Sequence, residues 1–163
     1  MPTDFGTFEH IVRRAHQISD STVSDTQSHP FERRNIHELI SNLCLQLFDD
    51  GHFAQATFEA LKLIDKVVQK ISESAESGFK LMMSAFTESS PSIKLNGLTS
   101  TTEKDEQKGF QFLFAGAVLA IRNPRGHEVA IKDDPDTCLD HLSFASLLLR
   151  RLEAAGYVLS AIT

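Results

Sequence analysis

The chain has 163 residues, the size of one ordinary domain, and its 41% hydrophobic and 23% charged content is that of a globular protein rather than a fibrous or disordered one. A formal net charge of −6, with seven histidines taken as neutral, argues against a surface that coats nucleic acid all over, while leaving room for a local basic cleft. No stretch reaches the roughly 20 apolar residues of a membrane span, the N-terminus lacks the basic start and apolar run of a secretion signal, and Cys44 and Cys138 stand apart without metal-ligand spacing, so a reducing, cytoplasmic location is expected.

Residues 4–19 place Phe5, Phe8, Ile11, Val12 and Ala15 on one helical stripe. The polar run 20–34 reads as a linker, which divides the chain into an N-terminal helix and linker, 1–34, and a main body, 35–163. Leu39, Ile40, Leu43, Leu47 and Phe48 predict the first helix of that body, closed by Gly51. A longer helix follows over 52–75, with Phe53, Ala56, Ala60, Leu61, Ile64, Val67, Val68 and Ile71 on its apolar stripe. Glu59, Lys62, Asp65, Lys66 and Lys70 fall off the stripe and read as its solvated face. Gly78 interrupts the pattern before a short apolar helix over 79–86. Residues 88–102 are rich in Ser, Thr, Pro and Asn, and Ser92–Leu95 with Asn96-Gly97 suggests a small extended element or hairpin.

Thr101 or Thr102 is expected to cap the next helix, whose second half, Phe110–Ile121, is apolar on nearly every face. Such a helix is buried on all sides, or buried partly by a second subunit, and Gly116 between two alanines suits close helix approach. A polar acidic turn holding Asp133, Asp134 and Asp136 then precedes a last helix, capped by Asp136 or Thr137 and ended by Gly156. Those acids read as solvated, and His52 and His141 as lone capping or surface residues. The fold class is all-α: a bundle of about five helices with an irregular insertion near 88–102.

The apolar helix runs into Arg122-Asn123-Pro124-Arg125-Gly126-His127-Glu128. Pro124 removes a backbone donor and disfavours helical dihedrals at Asn123, so the helix is expected to end near Arg122 or Asn123. A tight loop would then bring His127 back beside Arg122 and Asn123, with Arg125 on the rim. Arg with His is a pairing suited to moving a proton while stabilising phosphate charge. The same residues also fit an ordinary helix stop, with basic groups at the negative end of the dipole. Phosphate loops, zinc spacings and nucleophile elbows are not found.

Beyond this pattern the chain resembles the HEPN superfamily, in its abortive-infection, Ymh-like branch. The resemblance rests on four ordered blocks: Asp50–Ala56 leading into Phe58–Lys62, Gly109–Ala117, Ile121–Pro124, and Ser146–Leu152. It covers about 35–153 and implies a HEPN-like helical domain. It further implies a toxin or phage-defence endoribonuclease that cuts RNA without metal or other cofactor, by attack of the ribose 2′-hydroxyl on the adjacent phosphate, at a site composed by a homodimer. His127 would transfer the proton, Arg122 would stabilise the phosphorane, and Asn123 would orient the His or the phosphate. Arg125 is added on charge grounds alone, as an RNA phosphate contact. Gly126 stands where many relatives are expected to have Ala. An antitoxin or defence-system partner is implied as well. The alternative is a non-catalytic helical dimerisation module of a defence system, a reading that fold alone does not decide against.

Overall fold

A computed structural model describes residues 28–128 and 131–159, so the expected helix over 4–19 lies outside the described residues. Every regular element among them is helical: α1 (Pro30–Arg33), α2 (Glu38–Asp49), α3 (Phe53–Ile71), α4 (Gly78–Ala85), α5 (Thr101–Gly116), a π-helical segment (Ala117–Arg122), α6 (Asn123–His127) and α7 (Pro135–Ala154). The stretch read as a linker to residue 34 is packed before that point. The His29 ring accepts the Phe31 N–H at 3.1 Å, Pro30 starts the turn, and Phe31 is buried against Phe48, ring centroids 5.2 Å apart.

α2 ends as its glycine predicts. Gly51 takes φ +78, its N–H donates to the Phe48 carbonyl at 3.0 Å, and the His52 N–H donates to the Leu47 carbonyl at 2.8 Å. Both bonds are those of a Schellman cap, which needs the left-handed conformation that glycine adopts without strain. Gly156, at φ +94, closes α7 in the same way.

α3 is the central helix, packed against α2, α4, α7 and the π segment. It stops at Ile71, earlier than its periodicity suggests, because Ser72 turns its hydroxyl back to the Val68 carbonyl and Glu73 leaves the helical region at φ +53. Asp65 is not part of the solvated face. It is buried, and its carboxylate accepts the Gly78 N–H at 2.6 Å, tying the start of α4 to the middle of α3. Glu59 and Lys62 do lie on that face, paired three residues apart at 3.1 Å.

The insertion holds neither strand nor hairpin. It is a coil that buries Ile93 and Leu95, while Gln107 of α5 satisfies its backbone. The Gln107 side chain accepts the Leu95 N–H at 2.9 Å and donates to the carbonyls of Ile93 at 2.8 Å and Phe86 at 3.2 Å. Phe86 itself stacks on Phe114 of α5, centroids 4.4 Å apart.

α5 begins one residue earlier than expected. Ser100 is its N-cap, in a reciprocal capping box with Glu103. Hydrogen bonds from Thr99 and Ser100 hold the Glu103 carboxyl down at about 2, from an ordinary 4.5. A carboxyl lowered on folding stabilises the fold above its unfolded value and loses that contribution as pH falls through its folded value. The start of α5 is therefore expected to fray between pH 4.5 and about 2. Amide exchange of residues 101–104 across this range is the check, and a Glu103→Gln variant should remove most of the pH dependence.

α7 is likewise capped earlier than expected: Asp134, not Asp136 or Thr137, accepts the Thr137 N–H at 2.9 Å.

Candidate functional site

The chain does not turn back after Arg122. It stays helical through Pro124 by widening. The Asn123 N–H bonds the Val118 carbonyl, five residues back, and Ala117–Arg122 form a π-helical turn before α6 resumes. The physical cause is the proline. In α register its missing N–H would have bonded Ala120, and its ring would crowd that carbonyl. One wider turn moves the clash aside, and turns of this kind are frequent at functional sites.

Helical continuation changes how the expected cluster is arranged. Arg122 and Asn123 are together: the arginine Nη1 donates to the Asn123 side-chain oxygen at 3.1 Å. His127 is not folded back beside them. It lies five residues further along the same helix, which for regular helix is about 140° around and about 7.5 Å along the axis. His127 is exposed, and no hydrogen bond or ion pair joins it to any described residue.

Arg122 is half-buried and has no carboxylate partner among the described residues. Its Nε is buried without a hydrogen-bond partner there. Its guanidinium lies 5.6 Å from the ring centroid of Phe58, on α3. A charged group fixed by an aromatic face and one neutral amide keeps most of its donor capacity for something else.

Arg125 is not on the rim. Its side chain is 10% exposed, and Nε and Nη2 grip Asp133 in a fork at 2.8 and 2.6 Å. Nη1 donates to the Ile121 carbonyl at 2.8 Å, and Nη2 sits 3.5 Å from His141 Nδ1. With these donors engaged, Arg125 has little left for an RNA phosphate. It fastens the far side of the π turn to the segment leading into α7. Asp133, read as solvated, is 5% exposed in its side chain. His141, read as a lone capping or surface residue, belongs to the same group and is partly buried, and burial first, then Arg125, lowers its pKa. Opposite charge eight residues apart was the only sequence signal for the Arg125–Asp133 pair.

Beside this group a groove of about 340 Å³ runs between Ala54, Gln55, Phe58 and Glu59 of α3 and Arg125 and Glu128. On the outer side, Phe112 and Leu119 are each 55% exposed and Leu113 is 41% exposed. Gly109 and Gly116, on the same strip, have nothing within 4 Å of where a Cβ would stand. The helix apolar on nearly every face is thus half covered by its own chain. Among the described residues no three His, Cys, Asp or Glu side chains converge on a point that could hold a metal ion, and no helix is long and apolar enough to cross a membrane.

This chain is a member of the family described as a protein of unknown function (Hypoth_ymh), whose model matches residues 34–152. No curated protein matches the chain. No solved structure matches it either.

Proposed function

We propose that this protein is a HEPN-type endoribonuclease of a toxin or phage-defence system, cutting RNA without metal at a site shared by two copies of the chain. One observation carries the reading. Arg122, at the end of the π-helical turn, is held by Phe58 and Asn123 but neutralised by nothing described, and the short helix that follows it ends on the unengaged His127. In the proposed reaction an imidazole, His127, takes the proton of a ribose 2′-hydroxyl as its oxygen attacks the neighbouring phosphorus. The P–O5′ bond breaks, the departing 5′-oxygen is protonated, and a 2′,3′-cyclic phosphate remains. Arg122 faces the charge that builds on the phosphorane, and Asn123 fixes its fork.

Arg122 at the N-cap of α6 and His127 at its last residue stand about 140° apart by regular-helix geometry, so the proposed site draws its two groups from two copies. The exposed strip of Phe112, Leu113, Gly116 and Leu119 is the surface on which a second copy would pack in this reading, oriented so that its Arg122 and His127 meet the first pair. That copy also doubles the local positive charge of an otherwise acidic chain. RNA and a second copy are the partners of this reading, and an antitoxin that restrains cleavage is a further one.

The direct assay is incubation of the purified protein with mixed RNA in EDTA. Cleavage leaving cyclic phosphate ends is the expected result, and intact RNA would reject the enzyme. The engaged Arg125–Asp133 fork favours the second reading, a dimerising module without chemistry, for which a dimer that leaves RNA intact is the result. Leu119→Glu is expected to turn a micromolar dimer into a monomer in sedimentation, since it buries a charge against an apolar partner. The same change should abolish cleavage. A monomeric variant that still cuts at the parent's rate would reject the shared site.

A further inference from the structure

We propose that Phe58 is the positioning residue for Arg122, an inference that rests on the ribonuclease reading above. Three observations meet at one ring. The Arg122 guanidinium lies 5.6 Å from its centroid, the Lys62 ammonium lies 5.8 Å from it, and the backbone of α6 closes on it at Gly126. A Cβ added at Gly126 would stand 3.0 Å from Phe58 Cε2, tighter than ordinary van der Waals contact. Gly126 lies four residues after Arg122, so both occupy one face of the helix one turn apart. The ring of α3 therefore packs closely against the α6 backbone at Gly126, where a Cβ would make it shift by a few tenths of an ångström, and from there it supports the arginine.

This matters because of what else holds Arg122. Its one described hydrogen bond is to its neighbour Asn123, and its Nε is buried without a partner. A long flexible side chain held by one bond samples many rotamers. The aromatic face restricts it without consuming donors, since ring and guanidinium attract through the quadrupole rather than through an N–H bond. A carboxylate in the same place would hold the arginine equally well and cancel the charge that the phosphorane needs. Lys62 does not compete for the role, because it is exposed and paired with Glu59 at 3.1 Å. Phe58 acts through Arg122 and does not itself touch RNA.

The test uses the full chain with Phe58→Leu, which keeps apolar bulk and removes the ring, and Phe58→Tyr, which restores the ring. Phe58→Met is a second ring-free variant in case the leucine fails to fold. Two readouts separate positioning from general stability. In a ¹⁵N-labelled sample the Arg122 Nε–Hε signal, assigned by its loss in Arg122→Lys, should be displaced upfield by the ring in the parent and in Phe58→Tyr. It should move to the position of exposed arginines in Phe58→Leu. In RNA cleavage, kcat should fall about tenfold or more in the ring-free variants, because a reacting group is misplaced, with KM within about twofold and with recovery in Phe58→Tyr. An Arg122 signal unmoved by loss of the ring would overturn the proposal, as would a loss carried by KM alone. If the parent cuts no RNA, the ribonuclease reading falls, and the Arg122 signal still decides whether Phe58 positions that side chain.

Discussion

His127→Ala is expected to lower RNA cleavage by about two to four orders of magnitude, the range for removing a positioned proton-transfer group. The fold should not notice. His127 is exposed and contacts no described residue through a hydrogen bond or ion pair, so truncation leaves no cavity and no orphaned partner. That separation makes the variant informative: thermal stability and dimerisation should match the parent while activity disappears. Arg122→Lys is the companion. It keeps the positive charge and removes the planar fork that Phe58 and Asn123 hold. A point charge on a flexible stem is a poor substitute where geometry matters. A loss of roughly 10²- to 10³-fold in kcat is expected, by comparison with deletion of one donor to a developing oxyanion. Initial rates on a defined RNA, with melting temperatures alongside, are the measurements. His127→Ala cutting within twofold of the parent would remove the imidazole from the mechanism.

Gln107→Leu is expected to be the most damaging single change to stability. Gln107 has no exposed surface, and its amide satisfies three backbone groups of the 86–95 coil at once. Leucine fills nearly the same volume, so the cavity contribution is small, and what is lost is hydrogen bonding. The Leu95 N–H, with one bonding direction, is left unpaired, as are the carbonyls of Phe86 and Ile93. Each buried orphan costs about 1–3 kcal/mol, carbonyls toward the lower end, giving about 3–5 kcal/mol together. That is a large part of the stability of an ordinary domain. With a urea slope near 2 kcal/mol/M, the unfolding midpoint should fall by roughly 2 M. The damage should begin locally, as faster amide exchange at Leu95, because Ile93 and Leu95 reach the core only while their backbone is held there. A midpoint shift under about 0.5 M would mean that water replaces the amide and that Gln107 does not organise the insertion.

The helices were legible because their signals are local. Gly51 and Gly156 stop helices where the chain predicts, since a left-handed residue after a helix is a property of glycine and not of the surroundings. The stripe from Ala56 to Val68 is buried as its spacing implies. Caps were misplaced by one to three residues at Ser100 and Asp134, where several Ser, Thr or Asp side chains compete and packing chooses among them. Pro124 misled the reading more seriously. Its usual effect is to stop a helix, whereas here the Asn123 N–H reaches back to the Val118 carbonyl and one wider turn carries the helix past it. Misreading that turn misplaced His127 relative to Arg122.

The buried polar residues were the least legible. Asp65, Asp133 and Gln107 are polar residues with partners 13, 8 and 12 to 21 positions away, and polarity alone assigns such side chains to solvent. Arg125 shows the consequence: charge marked it as a phosphate contact, while a carboxylate brought in by the next segment already occupies it. Phe58, though part of a block that carries the family resemblance, has no role legible in the sequence, because one aromatic on an amphipathic helix carries no signal of what it faces.

The sequence by itself determined that this chain is helical, where glycine closes a helix, and which face of α3 is buried, because turn chemistry and apolar spacing act over one to four residues. Only the tertiary structure decided which charges remain open. Arg122 and Arg125 are chemically identical and three positions apart, yet one meets an aromatic face and the other a carboxylate. That difference comes from where α3 and the segment before α7 cross the motif helix. Whether a guanidinium is neutralised depends on a neighbour within about 4 Å, a distance that folding sets and sequence separation does not.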